Sequence, residues 1–260
     1  MAPTLVLLHA LGASGGAWAD VTARLGRRYA CVAPDLPGFG GEPALSGGVA
    51  ATLDWLAAEI ARRSPANYLL VGHSMGGKFA TLLAARAEAG DAGLAGLSGV
   101  VLLAGSPPAP EPMDESRRAE MIGWFTDGPP RNADARRFVA ANVAHPLSPE
   151  REAKAVADVR RSSPAAWIDW LERGAREDWR DRVGRLSTPA LIVAGAEDGD
   201  LGEQNQRRLN VPHFTSPRVA VVPDAAHLLP YEQPDAVAGL IDEAACAWLS
   251  VSASQESEKS

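Results

Sequence analysis

Apolar and polar positions follow two alternating rhythms along the chain. Short runs that are apolar at successive positions fall at Thr4–His9, Tyr29–Pro34, Asn67–Gly72, Gly99–Gly105, Pro189–Gly195 and Arg218–Pro223. Each is bounded by turn residues, the pattern of a strand buried on both faces of a parallel sheet. Between them, apolar residues at helical spacing cover Ala17–Leu25, Val49–Ala61, Gly76–Glu88 and Pro234–Leu249. The alternation predicts an α/β fold with a mostly parallel central sheet of about six strands, flanked by helices and joined by right-handed crossovers.

The alternation breaks once. Between Ser106 and Arg185 no segment reads as a strand. This stretch opens on Pro107-Pro108-Ala109-Pro110-Glu111-Pro112 and continues with helical patches near Glu115–Phe125, Ala133–Val143, Glu150–Arg160 and Pro164–Glu172. Four of the seven tryptophans lie in it: Trp124, Trp167, Trp170 and Trp179. The expected organisation is a core from residues 1–105 and 186–250, a helical cap over the sheet from 106–185, and a disordered tail at 251–260. That tail is Ser- and Glu-rich and lacks a periodic apolar face. The first apolar stretch has no basic residue before it and is interrupted by His9, so it reads as a strand rather than a signal peptide. No run approaches the roughly 20 apolar residues of a membrane span.

Composition narrows the function classes. Residues AVILMFWYC make up 46% and charged residues 22%, which excludes a wholly disordered chain. A net charge of -7 argues against a nucleic-acid partner. Cys31 and Cys246 are too few and too far apart for a disulfide framework or a zinc site. They suit a reducing compartment, and the expected location is cytoplasmic.

The chemistry centres on a serine. The third run ends in Leu69-Leu70-Val71-Gly72-His73-Ser74-Met75-Gly76-Gly77, a G-x-S-x-G between strand and helix. Such a turn is tight enough to strain the serine backbone and lift its hydroxyl clear of the sheet. The same letters begin a P-loop at Gly72, but Phe79 stands where a Mg²⁺-ligating Ser or Thr is required. Lys78 is then read as a solvated or salt-bridged helix residue. A serine hydroxyl needs a base. Of five histidines, His227 lies just past the last strand and can reach back to Ser74, whereas His73 is expected to point elsewhere. The acid that would fix its tautomer belongs after the preceding strand, in Gly195-Ala196-Glu197-Asp198-Gly199-Asp200. Asp198 is the choice, with Glu197 and Asp200 as near alternatives.

Five ordered motifs together resemble the α/β-hydrolase fold superfamily. They are Leu7-Leu8-His9-Ala10-Leu11-Gly12 with Trp18 behind it, Pro34-Asp35-Leu36-Pro37-Gly38-Phe39-Gly40, the serine turn, Gly195-Ala196-Glu197-Asp198, and Ala226-His227 followed by Tyr231-Glu232-Gln233-Pro234. The similarity runs to Leu249. It implies a Ser–His–acid hydrolase with a cap inserted after the strand ending at Gly105. It also implies an oxyanion hole built from the N–H groups of Met75 and Leu11. Family members often carry His-Gly where this chain has His9-Ala10, and the added Cβ bears on the Leu11 assignment. The family usually has two further strands before the first one here. Their expected absence leaves Tyr29–Pro34 at a sheet edge open to pairing, so the chain is a monomer or a homodimer.

A serine nucleophile implies acyl transfer, unlike the dehalogenase and epoxide-hydrolase branches of this fold, which use Asp. The expected activity is carboxylic ester hydrolysis through a Ser74 acyl-enzyme. The substrate partner is a small to medium, mainly apolar ester under a roof of Trp124, Phe125, Trp167, Trp170, Met113 and Met121. No cofactor and no metal is required. A thioesterase, lactonase or C–C bond hydrolase would use the same triad, as would a synthase working by proton abstraction. A ligand-binding receptor of this fold would not turn over.

Overall fold

The computed structural model describes residues 2–63 and 65–249; the expected tail at 251–260 lies outside the described residues. The chain begins with β1 (Thr4–Leu8), α1 (Ala19–Leu25), β2 (Ala30–Val32), α2 (Gly48–Arg63), β3 (Tyr68–His73), α3 (Met75–Glu88) and β4 (Leu97–Leu103). There follow α4 (Glu115–Gly123), α5 (Asn132–Ala140), α6 (Pro149–Arg161), α7 (Pro164–Asp169), a π-helical segment at Trp170–Gly174, and α8 (Arg180–Val183). The chain then returns to the sheet through β5 (Ala190–Gly195), α9 (Glu203–Leu209), β6 (Arg218–Val222), α10 (Leu229–Glu232) and α11 (Pro234–Leu249).

Six parallel strands form one sheet in the order β2-β1-β3-β4-β5-β6. The inner strands β3 and β5 are buried at every position, which is why their sequences are continuous apolar runs instead of alternating ones. Side chains still divide by parity. Leu5 and Leu7 face one core with α1 and α11, together with Leu69, Val71, Val101, Leu103, Leu191 and Val193. Val6 and Leu8 face the other, against α2 and α3 and the helices α4–α7.

The strands at the ends of the sheet are shorter than their apolar patterns. Only Ala30–Val32 of the run expected at Tyr29–Pro34 pairs, with Thr4–Val6 of β1. The chain then departs through Pro34 so that Asp35 can accept the N–H groups of Gly15 at 2.8 Å and Gly41 at 2.7 Å. Two loops at the same rim of the sheet are thereby tied together. The patch expected to be one helix over Pro164–Glu172 is split, because the backbone widens into the π segment at Trp170. Among the described residues, no helix is long and apolar enough to cross a membrane.

Candidate active site

Ser74 occupies the turn between β3 and α3 with φ 51° and ψ −118°, a strained conformation for a residue with a side chain. Two glycines make the turn possible by their close approaches. A Cβ on Gly72 would lie 2.3 Å from the Gly76 carbonyl oxygen, and one on Gly76 would lie 2.3 Å from that of Leu8. Main-chain bonds hold the turn open. Ser74 N–H donates to Leu103 O at 3.0 Å, and Ser74 O accepts from Gly77 N–H at 2.7 Å and Ser106 N–H at 2.9 Å.

The hydroxyl points at an imidazole. Ser74 Oγ lies 2.9 Å from His227 Nε2, and His227 Nδ1 lies 2.8 Å from Asp198 Oδ2. The second Asp198 oxygen accepts from Leu201 N–H at 3.0 Å, which fixes the carboxylate plane. Glu197 and Asp200 line the cavity nearby, but the carboxylate on the histidine is that of Asp198. Burial alone would lower the His227 pKa, yet the charge of Asp198 and its hydrogen bond outweigh burial and raise it. Burial likewise pushes Asp198 up, and the opposing pull of His227 and of the hydrogen bonds holds it below its ordinary value.

His73 does not point away from the site. Its Nε2 donates to the His227 carbonyl oxygen at 2.7 Å, and the two rings lie 5.4 Å apart. Burial drives the His73 pKa down to about 3, so it stays neutral and serves as a fixed donor. The rest of the His227 loop is held from the opposite side. His227 N–H and Leu228 N–H both donate to Asn142 O, at 3.1 and 3.0 Å. The Glu232 carboxylate accepts from Ala226 N–H at 3.1 Å and Ala144 N–H at 2.6 Å. The segment 142–144 that follows α5 is thus stitched to the loop carrying the imidazole.

On the other side of Ser74, Leu11 borders the cavity and Met75 opens α3. A first-turn N–H has no intrahelical acceptor and is free to meet an anion. The loop from β1 is stapled by His9, whose Nδ1 donates to Ala10 O at 2.8 Å while Nε2 accepts from Leu36 N–H at 2.9 Å. Among the described residues, positive φ at non-glycine positions is confined to Ser74, Ala104 and Asp224. Ala10 therefore carries its Cβ without left-handed strain.

A cavity of about 210 Å³ opens above Ser74, His227 and Asp198. Trp170, Met113 and Met121 line it, with Leu11, Phe138 and Leu228. Trp124, Phe125 and Trp167 do not. Phe125 and Trp167 stack at 4.4 Å behind the wall, and Trp167 Nε1 donates to Met121 O at 2.9 Å, which supports a lining residue from the rear. Trp124 is only partly buried and packs against the core from outside the cavity. The rim is also more polar than an aromatic roof implies, since Glu111, Arg117, Asn142 and Asp200 contribute to it.

Lys78 corrects the sequence reading. Far from being solvated, it is fully buried, donating to Gly174 O at 2.8 Å and Glu177 O at 2.9 Å. It stands one turn after Ser74 on the same helix face, so its side chain runs inward beneath the π segment. Burial lowers its pKa to about 8. Sequence reasoning passed over Glu111, Asn142 and Glu232 as well. Glu111 sits between two prolines in the Pro-rich opening, and Glu232 in the Tyr-Glu-Gln-Pro after the histidine; no comparable signal marks Asn142.

Known proteins share this architecture. A family profile described as "Alpha/beta hydrolase family" matches residues 5–240. A pimeloyl-[acyl-carrier protein] methyl ester esterase of Aeromonas hydrophila subsp. hydrophila is 30% identical over 238 residues, 86% of this chain and 88% of the relative. An esterase structure from Exiguobacterium antarcticum superposes with a TM-score of 0.81 at 17% identity, over 93% of this chain and 91% of that one. An enol-lactonase from Burkholderia xenovorans gives 0.77 at 21% identity, over 94% and 91%. At such identities the two structures speak to the fold alone.

Proposed function

Because the chain belongs to the alpha/beta hydrolase family, we propose that it is an ester-hydrolysing enzyme in which Ser74, His227 and Asp198 form the catalytic triad. The observation that carries the reading is the unbroken line from Ser74 Oγ through the His227 ring to Asp198, at 2.9 and 2.8 Å. Ser74 Oγ attacks the ester carbonyl carbon as His227 Nε2 takes its proton. The carbonyl oxygen becomes an oxyanion held by the N–H groups of Met75 and Leu11. His227 then returns the proton to the leaving alcohol oxygen as the C–O bond breaks, which leaves the acyl group on Ser74. A water activated by the same imidazole releases the acid and restores the serine. Asp198 stays ionised and holds the ring with its proton on Nδ1.

The substrate is a small to medium ester, in keeping with a cavity of about 210 Å³ bounded by Leu11, Met113, Met121, Phe138 and Trp170. Curated relatives named as methyl ester esterases support a small alcohol leaving group. Helices α4–α8 act as a cap whose inner face forms the roof. No step needs a cofactor.

The test is hydrolysis of p-nitrophenyl butyrate. Ser74→Ala is expected to lower kcat by at least about a thousandfold with an unchanged circular dichroism spectrum. Phenylmethylsulfonyl fluoride should leave its adduct on the peptide containing Ser74. A variant that keeps most of the wild-type rate would overturn the proposal.

A further inference from the structure

The cations around the cavity wall are committed to partners. Lys78 donates to the Gly174 and Glu177 carbonyl oxygens. Arg118 bonds Glu115 at 3.3 Å and Leu171 O at 2.8 Å. Arg117 bonds Asp200 at 2.7 Å and Asn142 Oδ1 at 3.4 Å.

Glu111 is different. Its backbone is fixed, because its N–H donates to Ala175 O at 2.8 Å just beyond the π segment. Its side chain borders the same cavity as Ser74 and His227. Yet its Oε1 is buried without a hydrogen-bond partner. The Ser106 hydroxyl, one residue beyond Gly105, is buried beside it and is the polar neighbour that most opposes the upward push of burial on the carboxyl. Burial pushes the Glu111 carboxyl above the ordinary range, and Ser106, Lys78, His227 and Arg118 only moderate this. A buried acceptor left open is costly to maintain, and native proteins seldom keep one without a use. The residue nonetheless lines the cavity, so its carboxylate stands within the wall that a substrate meets.

We propose that Glu111 is a substrate-recognition residue: the ester that fits this site carries a hydrogen-bond donor, a hydroxyl or an ammonium group, that reaches Glu111 while its carbonyl rests against Ser74. The donor supplies what Lys78, Arg117 and Arg118 do not. A site built around a buried polar group rejects an analogue that cannot pair with it, because the analogue strands that group. The proposal deepens the esterase reading of Ser74 and rests on it.

The experiment separates the two. Binding is measured by titration calorimetry on the Ser74→Ala protein, so that no turnover occurs. The probes are methyl butanoate with its 3-hydroxy and 3-amino derivatives, and methyl hexanoate with its 6-hydroxy and 6-amino derivatives. At least one donor-bearing ester should bind about tenfold or more tightly than its parent. Adding Glu111→Ala should bring that ratio to about one. Glu111→Gln keeps an acceptor but no charge, so a hydroxyl preference survives it and an ammonium preference does not. Equal affinities within both series, or a preference that persists in Glu111→Ala, overturns the proposal. Equal affinities in the Ser74→Ala protein overturn the proposal even if Glu111→Ala fails to fold, and an ammonium preference that Glu111→Gln retains does so as well. Hydrolysis of methyl hexanoate by the wild-type enzyme reports on the esterase reading alone, so loss of preference and loss of turnover are distinct results.

Discussion

The imidazole of His227 is pulled in two directions, and the balance sets the pH behaviour. Burial favours its neutral form, while Asp198 favours the cation and prevails, raising the pKa above 6.5. The proposed mechanism needs the neutral ring as base, so kcat/KM should fall as pH drops through a value higher than that of free histidine. The stability linkage runs the other way. A raised folded pKa stabilises fully below the unfolded value, and this contribution fades as pH rises through the folded one. Asp198→Asn removes the pull. It should lower kcat by about 10⁴-fold and move the acid limb down, as a pH–rate profile on p-nitrophenyl butyrate from pH 4 to 9 will show. An unmoved limb would mean that another group titrates there.

At the scale of elements, the serine turn and α3 carry two consequences. Gly76→Ala would drive a Cβ to 2.3 Å from Leu8 O and 2.9 Å from His9 O, both backbone. The end of β1 and the loop at Leu11 would have to shift. Urea unfolding is expected to show a loss of at least about 2 kcal/mol, with activity falling further than stability alone explains. Lys78 gives a pH signature. Its folded pKa of about 8 lies below the ordinary 10.5, so between those values the unfolded chain binds more protons and stability from this site rises with pH. The urea midpoint of wild type relative to Lys78→Met should therefore climb from pH 8 to 10. This residue also shows where sequence pattern stops. Strands β1 and β3–β5 were legible because burial on both faces leaves continuous apolar runs, β6 because its run stays apolar from Val219 to Val222 although most of it is not buried, and α11 because its apolar face repeats along its whole length. Lys78 was not, since a lysine on a helix gives no sign that the distant Gly174 and Glu177 carbonyls will receive it. The approach of His227 to Ser74 was legible from the turn letters and the position after β6. Trp124, Phe125 and Trp167 were misjudged because aromatic content does not tell a cavity lining from its backing.

Across the whole molecule, the sheet and the helices α4–α8 share the task of holding the site. Asn142 O and the Glu232 carboxylate fasten the His227 loop to segment 142–144, and the Arg117–Asp200 pair links α4 to the loop of Asp198. That pair is half exposed and contributes little on its own. The Glu232 bonds are shielded. Glu232→Ala should reduce kcat between about tenfold and a hundredfold through misplacement of the ring, whereas Glu232→Gln, which keeps one acceptor, should stay within a few-fold of wild type. Steady-state kinetics on both variants will show it, and an Ala variant as fast as wild type would remove the loop clamp from the account. The clamp also has a consequence for engineering. Transplanting a foreign roof onto this sheet would import a new doorway for substrates but discard the handhold at 142–144. A working chimera must keep those three residues in place, or bring its own grip on the base.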